Sequence, residues 1–203
     1  LQNCVFPDWK QVVPAYREDR LLTIVELSDE MDEYRKNIME NCRHFIRDCK
    51  EHLNIIFSCY VGEFREPGEL AEQYERLGKA DSNNVAEHSG VYGIELADQR
   101  LPYKRPDIES WIRLLSRREY NEAIERMEHD LQVMIHERKI DRGVLEQLCH
   151  DFTQSFYGFL EMKGLQAHQF LDDEKVVGVY QSRAVTVANF LKWSRYVIKR
   201  AET

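Results

Sequence analysis

The sequence has no long hydrophobic run. Nowhere do 18 apolar residues follow one another, so no membrane-spanning helix is expected. The apolar stretch at Cys4, Val5 and Phe6 is too short for the core of a secretory leader. Cysteines number five, Cys4, Cys42, Cys49, Cys59 and Cys149, and no two form a Cys-x-x-Cys pair. An odd number at irregular spacing argues against a disulfide framework and against a structural zinc site, and points to a reducing cytoplasm. Glycine-rich loops are missing too. Gly62 stands alone after an apolar run, and Gly90 and Gly93 flank a turn, so neither a phosphate loop nor a dinucleotide fingerprint is present. Positive charge is in deficit, 28 basic residues against 36 acidic, a net charge of −8 that works against direct contact with nucleic acid. There is no internal repeat and no low-complexity tract. The first residue is Leu1 rather than Met, which leads to the expectation of a processed form or an excised piece of a longer protein.

What is present is enough for one large or two small domains: 203 residues, 43% of them hydrophobic. The chain reads as an α+β protein, a small mixed sheet with helices over residues 1–100 followed by an all-helical module over residues 101–203. Residues 98–106, polar and carrying Pro102 and Pro106, read as the linker. In the first half, residues 11–16 and 21–27 are β-rich runs around the charged turn Arg17-Glu18-Asp19-Arg20, with Pro14 marking an edge strand. Ser28 can cap a helix from about Asp29 to His52, whose apolar stripe is Met31, Tyr34, Ile38, Cys42, Phe45, Cys49 and Leu53. Residues 55–61 read as a buried strand, a helix follows Pro67 with Leu70, Tyr74 and Leu77 on one face, and residues 91–96 as a last strand. The order is ββαβαβ.

The second half holds four or five amphipathic helices. The first is capped by Asp107 and buries Ile108, Trp111, Ile112 and Leu115. The second carries Tyr120, Ile124, Met127, Leu131 and Met134. The third starts near Asp141, carries Leu145, Leu148, Phe152, Phe156 and Phe159, and ends at Gly164. A short turn over residues 166–171 leads to a last helix, from about Glu174 to Arg200, with Tyr180, Ala184, Val187, Leu191, Ser194 and Ile198 on one face.

Candidate chemistry is sparse. Cys42 and Cys49, with His44 and His52 nearby, suggest a metal site, but both cysteines fall in the apolar stripe, where thiols act as small hydrophobes. Cys149-His150-Asp151 invites a nucleophile reading. Helix neighbours point about 100° apart, however, so adjacent Cys and His do not make a working pair. His168 is a candidate ligand or proton switch, or a packed helix-junction residue. Phe152, Phe156, Tyr157 and Phe159 are at core spacing, though they would also suit a ligand pocket. The basic last turn, Lys192, Arg195, Lys199 and Arg200, complements the helix dipole. Accordingly no catalytic residue, no cofactor-binding residue and no metal ligand is assigned, and no cofactor is expected.

The order ββαβαβ, with a turn between its first two strands, is similar to a cut-down GGDEF-type nucleotide cyclase domain. In that family the hairpin turn holds the glycine-rich signature; here the matching stretch is Arg17-Glu18-Asp19-Arg20-Leu21, in which only Asp19 keeps the family identity. Long charged residues replace both glycines and Arg20 replaces the second acid, so the resemblance implies a module without cyclase chemistry. The strings CYVGE (59–63), DSNNV (81–85) and HDFTQSFYGFLEMKGLQAHQFLDDE (150–174) resemble the central region of YesN-like, AraC-type two-component response regulators, over about residues 10–200. That resemblance implies a non-enzymatic segment that passes the state of a receiver domain to an AraC-type helix-turn-helix DNA-binding domain of the same chain. It would do so by dimerisation, as a possible homodimer, or by rearranging helices. The last helix would be the output, with Trp193 and Tyr196 meeting the following domain. No direct nucleic acid contact, no membrane and no identified small-molecule ligand belong to this reading. The alternative is a small-molecule-binding sensor module that tunes the regulator, and a working cyclase would need an acidic metal cluster that the sequence does not advertise.

Overall fold

Apolar residues that recur at steps of three and four give a helix one face to bury, and the second half of this chain is built almost wholly from such faces. In the computed structural model residues 11–12, 21–26, 31–63, 66–86, 89–165, 180 and 182–202 are described. The elements are β1 (Gln11–Val12), β2 (Ile24–Val25), α1 (Met31–Leu53), β3 (Cys59–Val61), α2 (Leu70–Asn83), β4 (Val91–Gly93), α3 (Ile108–Ser116), α4 (Tyr120–His136), α5 (Arg142–Met162) and α6 (Val187–Glu202). Single 3-10 turns at Pro67–Glu69 and Ile94–Ala97 precede α2 and follow β4. The class is α+β and the order ββαβαβ holds. The chain divides into two units, Leu1–Gln73 with His88–Ile94, and Tyr74–Glu87 with Glu95–Thr203.

In the first unit β1 and β2 pair antiparallel, Gln11 opposite Val25 and Val12 opposite Ile24. The charged turn that joins them, with Pro14 and Asp19, lies outside the described residues, as does the expected cap Ser28. β3 and β4 form a separate parallel pair, so the strands make two ladders among the described residues. Parallel pairing follows from a connection long enough to hold a helix. Tyr60 lies opposite Tyr92, and their rings stack with centroids 5.4 Å apart. Cys59 N donates to Gly90 O at 2.8 Å and Ser89 Oγ to Phe57 O at 2.7 Å, which ties the strand entries together. The packing centre is small: Cys42 is buried among Val25, Ile38, Phe45, Cys59 and Val91.

Three expectations for this unit are corrected. The α1 stripe ends at Cys49, since Leu53 is exposed. Residues 55–61 are not one buried strand. Asn54 takes a left-handed backbone (φ 54°), a conformation asparagine tolerates, and turns the chain out of the helix, leaving Ile55 and Ile56 in solvent. Pairing starts only at Cys59. The last strand stops at Gly93, where its partner runs out at Val61, and the chain winds into a 3-10 turn.

The second unit is a helical bundle. Asp107 caps α3 by accepting from Ser110 N at 3.0 Å. Ile108, Trp111 and Leu115 of α3, Ala123, Met127 and Leu131 of α4, six apolar side chains of α5 from Leu145 to Leu160, and Phe190, Trp193, Val197 and Ile198 of α6 fill one core. Each fully buried large side chain contributes roughly 1.5–3 kcal/mol. Ile112, placed on the stripe of α3, is only half-buried. α3, α4 and α5 all close with a left-handed residue and a backbone bond spanning five residues: Arg118 (φ 63°), Arg138 (φ 53°) and Gly164 (φ 72°). Gly164 alone adopts this backbone without cost.

The last helix is shorter than expected. Residues 174–179 lie outside the described residues, a turn at Arg183–Val185 interrupts the chain, and α6 begins at Val187. Thr186 Oγ1 accepts from Asn189 N at 3.2 Å and caps it, while Val187 N donates to Val85 O at 2.9 Å. The stretch read as a linker is docked within this unit. Leu101 N donates to Asp141 Oδ2 at 2.6 Å, and Tyr103 Oη donates to Asp151 Oδ2 at 2.8 Å.

Asp141, 4% exposed, thus serves two backbone donors, Leu101 N and, as the cap of α5, Val144 N at 2.8 Å. Asp141→Ala removes the cap and strands a part-buried N–H; urea unfolding is expected to show a loss of about 2–4 kcal/mol, with Asp141→Asn losing less.

Candidate functional site

Each residue that the sequence nominated for chemistry has a definite place. Cys149, on the buried face of α5, is 1% exposed and donates its Sγ–H to Arg183 O at 3.7 Å. His150 faces solvent, where the Gln154 amide lies 2.8 Å from its Nε2. Asp151 accepts from Tyr103 and lies 3.5 Å from Arg105 Nε. Three consecutive side chains therefore meet three different sets of partners, as helix geometry demands, and do not converge on a reacting atom. Cys42 and Cys49 are buried, as expected of small hydrophobes in the stripe, while His44 and His52 are exposed, so the metal reading weighed against it is not brought together. Among the described residues no group of three or more His, Cys, Asp or Glu is placed to hold a metal. His168 lies outside the described residues.

The aromatic side chains of α5 close on one another. Phe152, Phe156 and Phe159 are at most 2% exposed, and Tyr157 is half-buried beside them. Phe152 meets Phe190 and Trp193 edge-on at 5.6 and 5.5 Å between centroids and stacks on Phe156 at 5.7 Å. Trp193, expected to face a following domain, is instead a core residue at 1% exposure. It touches Tyr180 and Phe190 and has the Arg183 guanidinium 5.7 Å from its ring. Its place on the inner face of α6 was hidden because a tryptophan flanked by the basic residues Lys192 and Arg195 is equally suited to a surface contact. Tyr196 is half-buried, its hydroxyl accepting from Arg200 Nη1 at 3.3 Å. The basic end of α6 is partly spent within the bundle, since Arg195 Nε donates to Glu128 Oε1 of α4 at 2.9 Å. Lys192 and Lys199 stand exposed.

The concavity that sequence reasoning missed lies where α3 ends and α4 begins. It is an open recess of about 270 Å³ lined by Ser110, Arg113, Leu114, Arg117 and Arg126. Arg113 of α3 and Arg117, the residue that caps its C-terminal end, are one turn apart, and α4 brings Arg126 to them. Arg113 has Asp107 at 3.7 Å and Arg126 has Asp130 at 3.2 Å. Arg117 has no carboxylate partner among the described residues. Positive charge at the end of α3 complements its dipole, and three guanidinium groups around Leu114 also suit an anion with an apolar edge.

No family model, no curated protein and no solved structure matches the chain. No helix among the described residues is long and apolar enough to cross a membrane.

The buried thiol and phenols set a pH dependence. Burial pushes Cys149 from its ordinary 9.0 up to about 12, opposed by Arg183 and Arg142 and assisted by Glu146. Burial also raises Tyr103, with the hydrogen bond to Asp151 adding, and raises Tyr157. Above pH 9 the unfolded chain releases the Cys149 proton while the folded chain keeps it. Stability therefore falls as pH rises, by at most about 1.4 kcal/mol per pH unit for this group. Urea unfolding of wild type and Cys149→Ala at about pH 8 and pH 10 should show a flatter decline in the variant. Equal slopes would show that the thiol is not protected as described.

Proposed function

We propose that this chain is the non-catalytic signal-transmission region of a two-component transcriptional response regulator. It stands in the cytoplasm between a receiver domain and an AraC-type helix-turn-helix DNA-binding domain. The identity rests on the resemblance of residues 59–63, 81–85 and 150–174 to YesN-like regulators, and the α+β order of elements is compatible with it. The observation that carries the mechanism is the seating of α6. Its buried stripe, Phe190, Trp193, Val197, Ile198 and Ala201, runs into the last turn of the helix. A helix gripped along its whole length moves with its bundle as one piece, so a shift of the core reaches whatever α6 continues into. Such a relay is a population shift between two packings and needs contacts that differ between them. The non-catalytic reading is supported by the divergent partners of Cys149, His150 and Asp151.

The test softens α6 without touching its core face. Lys199 and Glu202 are exposed in its last turn. In a full-length regulator, Lys199→Gly with Glu202→Gly costs roughly 1–2 kcal/mol of local helix stability. Receiver-dependent transcription should fall while the melting temperature of the whole protein changes little. Undiminished transcription in a folded, DNA-binding double variant would sink the relay through α6.

A second reading, a sensor for a small molecule, is favoured by the arginine-lined recess and not by the aromatic side chains, which are packed shut. Its ligand would be an anion. Calorimetric titration with pyrophosphate tests it: binding should weaken about tenfold or more in Arg117→Ala with Arg126→Ala, the loss of charge-assisted bonds of roughly 1.5–3 kcal/mol. Absence of binding at millimolar concentration removes this reading.

A further inference from the structure

The first unit contains a chemical grouping that the relay does not use. Cys42, in the middle of α1 and 7% exposed, packs directly on Cys59 at the start of β3, with Val25, Ile38, Phe45 and Val91 around them. The two side chains pack against one another, and both thiols are free. The pair is asymmetric. The adjacent Cys59 thiol holds Cys42 below the ordinary thiol range, and the neighbouring Arg43 charge assists while burial opposes. The Cys42 thiol, with burial and the Cys49 sulfur, pushes the Cys59 thiol up. Cys59 is half-buried, so the pair lies at the edge of its cluster and not beneath it. Cys149 offers a contrast, since it is sealed in the other unit's core against a carbonyl oxygen and its thiol is pushed up by burial.

We propose that Cys42 and Cys59 are an oxidative modification site, joining as a reversible disulfide when the protein meets hydrogen peroxide. Thiolates, not thiols, attack peroxide. The Cys42 thiolate takes one peroxide oxygen as the O–O bond breaks, giving a sulfenic acid and hydroxide, which takes up a proton to become water. Cys59 then attacks the Cys42 sulfur, the S–O bond breaks, and the Cys59 proton leaves with the oxygen as a second water. Two electrons pass from the two thiols to one peroxide. The new bond ties the middle of α1 to β3, and a thiol reductant restores both thiols. This inference does not depend on the regulatory reading above.

The experiment treats the folded full chain with hydrogen peroxide and maps the products by mass spectrometry after tryptic cleavage. Cys42, Cys49 and Cys59 fall in separate fragments, residues 37–43, 48–50 and 51–65, because Lys36, Arg43, Arg47, Lys50 and Arg65 divide them. The expected product has lost two hydrogens, carries a cross-link between fragments 37–43 and 51–65, and returns to starting mass with dithiothreitol. Cys59→Ser should abolish the cross-link and leave a Cys42 sulfenic acid that dimedone traps, whereas Cys49→Ser should change neither. A cross-link through Cys49 or Cys4 overturns the assignment, and so does a native protein that keeps both thiols while its urea-unfolded form oxidises. Should Cys59→Ser fail to fold, the wild-type fragment map decides alone.

Discussion

The helical unit depends on the placement of one ring. Phe152 projects from the middle of α5 and is met by Trp111 from α3, by Phe190 and Trp193 from α6, and by Phe156 one turn along its own helix. Edge-on and offset contacts between aromatic rings add roughly 0.5–1.5 kcal/mol each beyond the area they bury. Because three helices share this ring, none can slide or rotate without disturbing the other two. The same crowding decides how the aromatic residues of α5 are to be read. Side chains that fill one another's space to 0–2% exposure hold the bundle together and leave no room among themselves for a guest.

Around that apolar centre the polar residues work at fixed stations. Trp111 Nε1 donates to Asp130 Oδ2 at 2.8 Å, so the indole is anchored at its polar edge as well as by its face. Asp141, which caps α5, and Asp151, nearly three turns further along, receive donors from residues 101–105 and hold that proline-bearing segment against the helix. Neither carboxylate is left uncompensated: Asp141 accepts from two backbone N–H groups, and Asp151 accepts from the Tyr103 hydroxyl with the Arg105 guanidinium beside it. Buried polar atoms of Arg183, Trp193 and Ser194 are the exceptions in this unit, without a hydrogen-bond partner among the described residues.

How much of this was legible follows from the range of the forces involved. The described helices of the second half were readable as elements because amphipathic periodicity and the caps Asp107 and Asp141 are local signals; the end of α5 near Gly164 fell where expected, whereas the start of α6 did not. The order ββαβαβ was also readable. Strand length was not, since β3 and β4 are only as long as their mutual pairing, and no property of residues 55–58 announces that they have no partner. Polar, proline-containing residues 98–106 look the same whether loose or docked, and the acceptors that dock them lie 40 and 48 residues away. The recess was invisible for the same reason: Arg113 and Arg117 are a visible pair, but Arg126 joins them only after α3 and α4 pack.

The two units differ in the way their cysteines are held, and this follows from the size of their cores. A large core can bury a thiol on all sides, and Cys149 is a small hydrophobe in such a place. Among the described residues the first unit has strands of two and three residues, and its apolar cluster centres on Cys42. There Cys59 packs against Cys42 while keeping partial contact with water. The reading of Cys42 and Cys49 as one stripe was sound as a statement about α1, but the partner that gives Cys42 its chemistry comes from the strand. Proximity of two thiols at the edge of a small core is thus a consequence of the fold's economy, and it is also the geometry that two-electron oxidation requires.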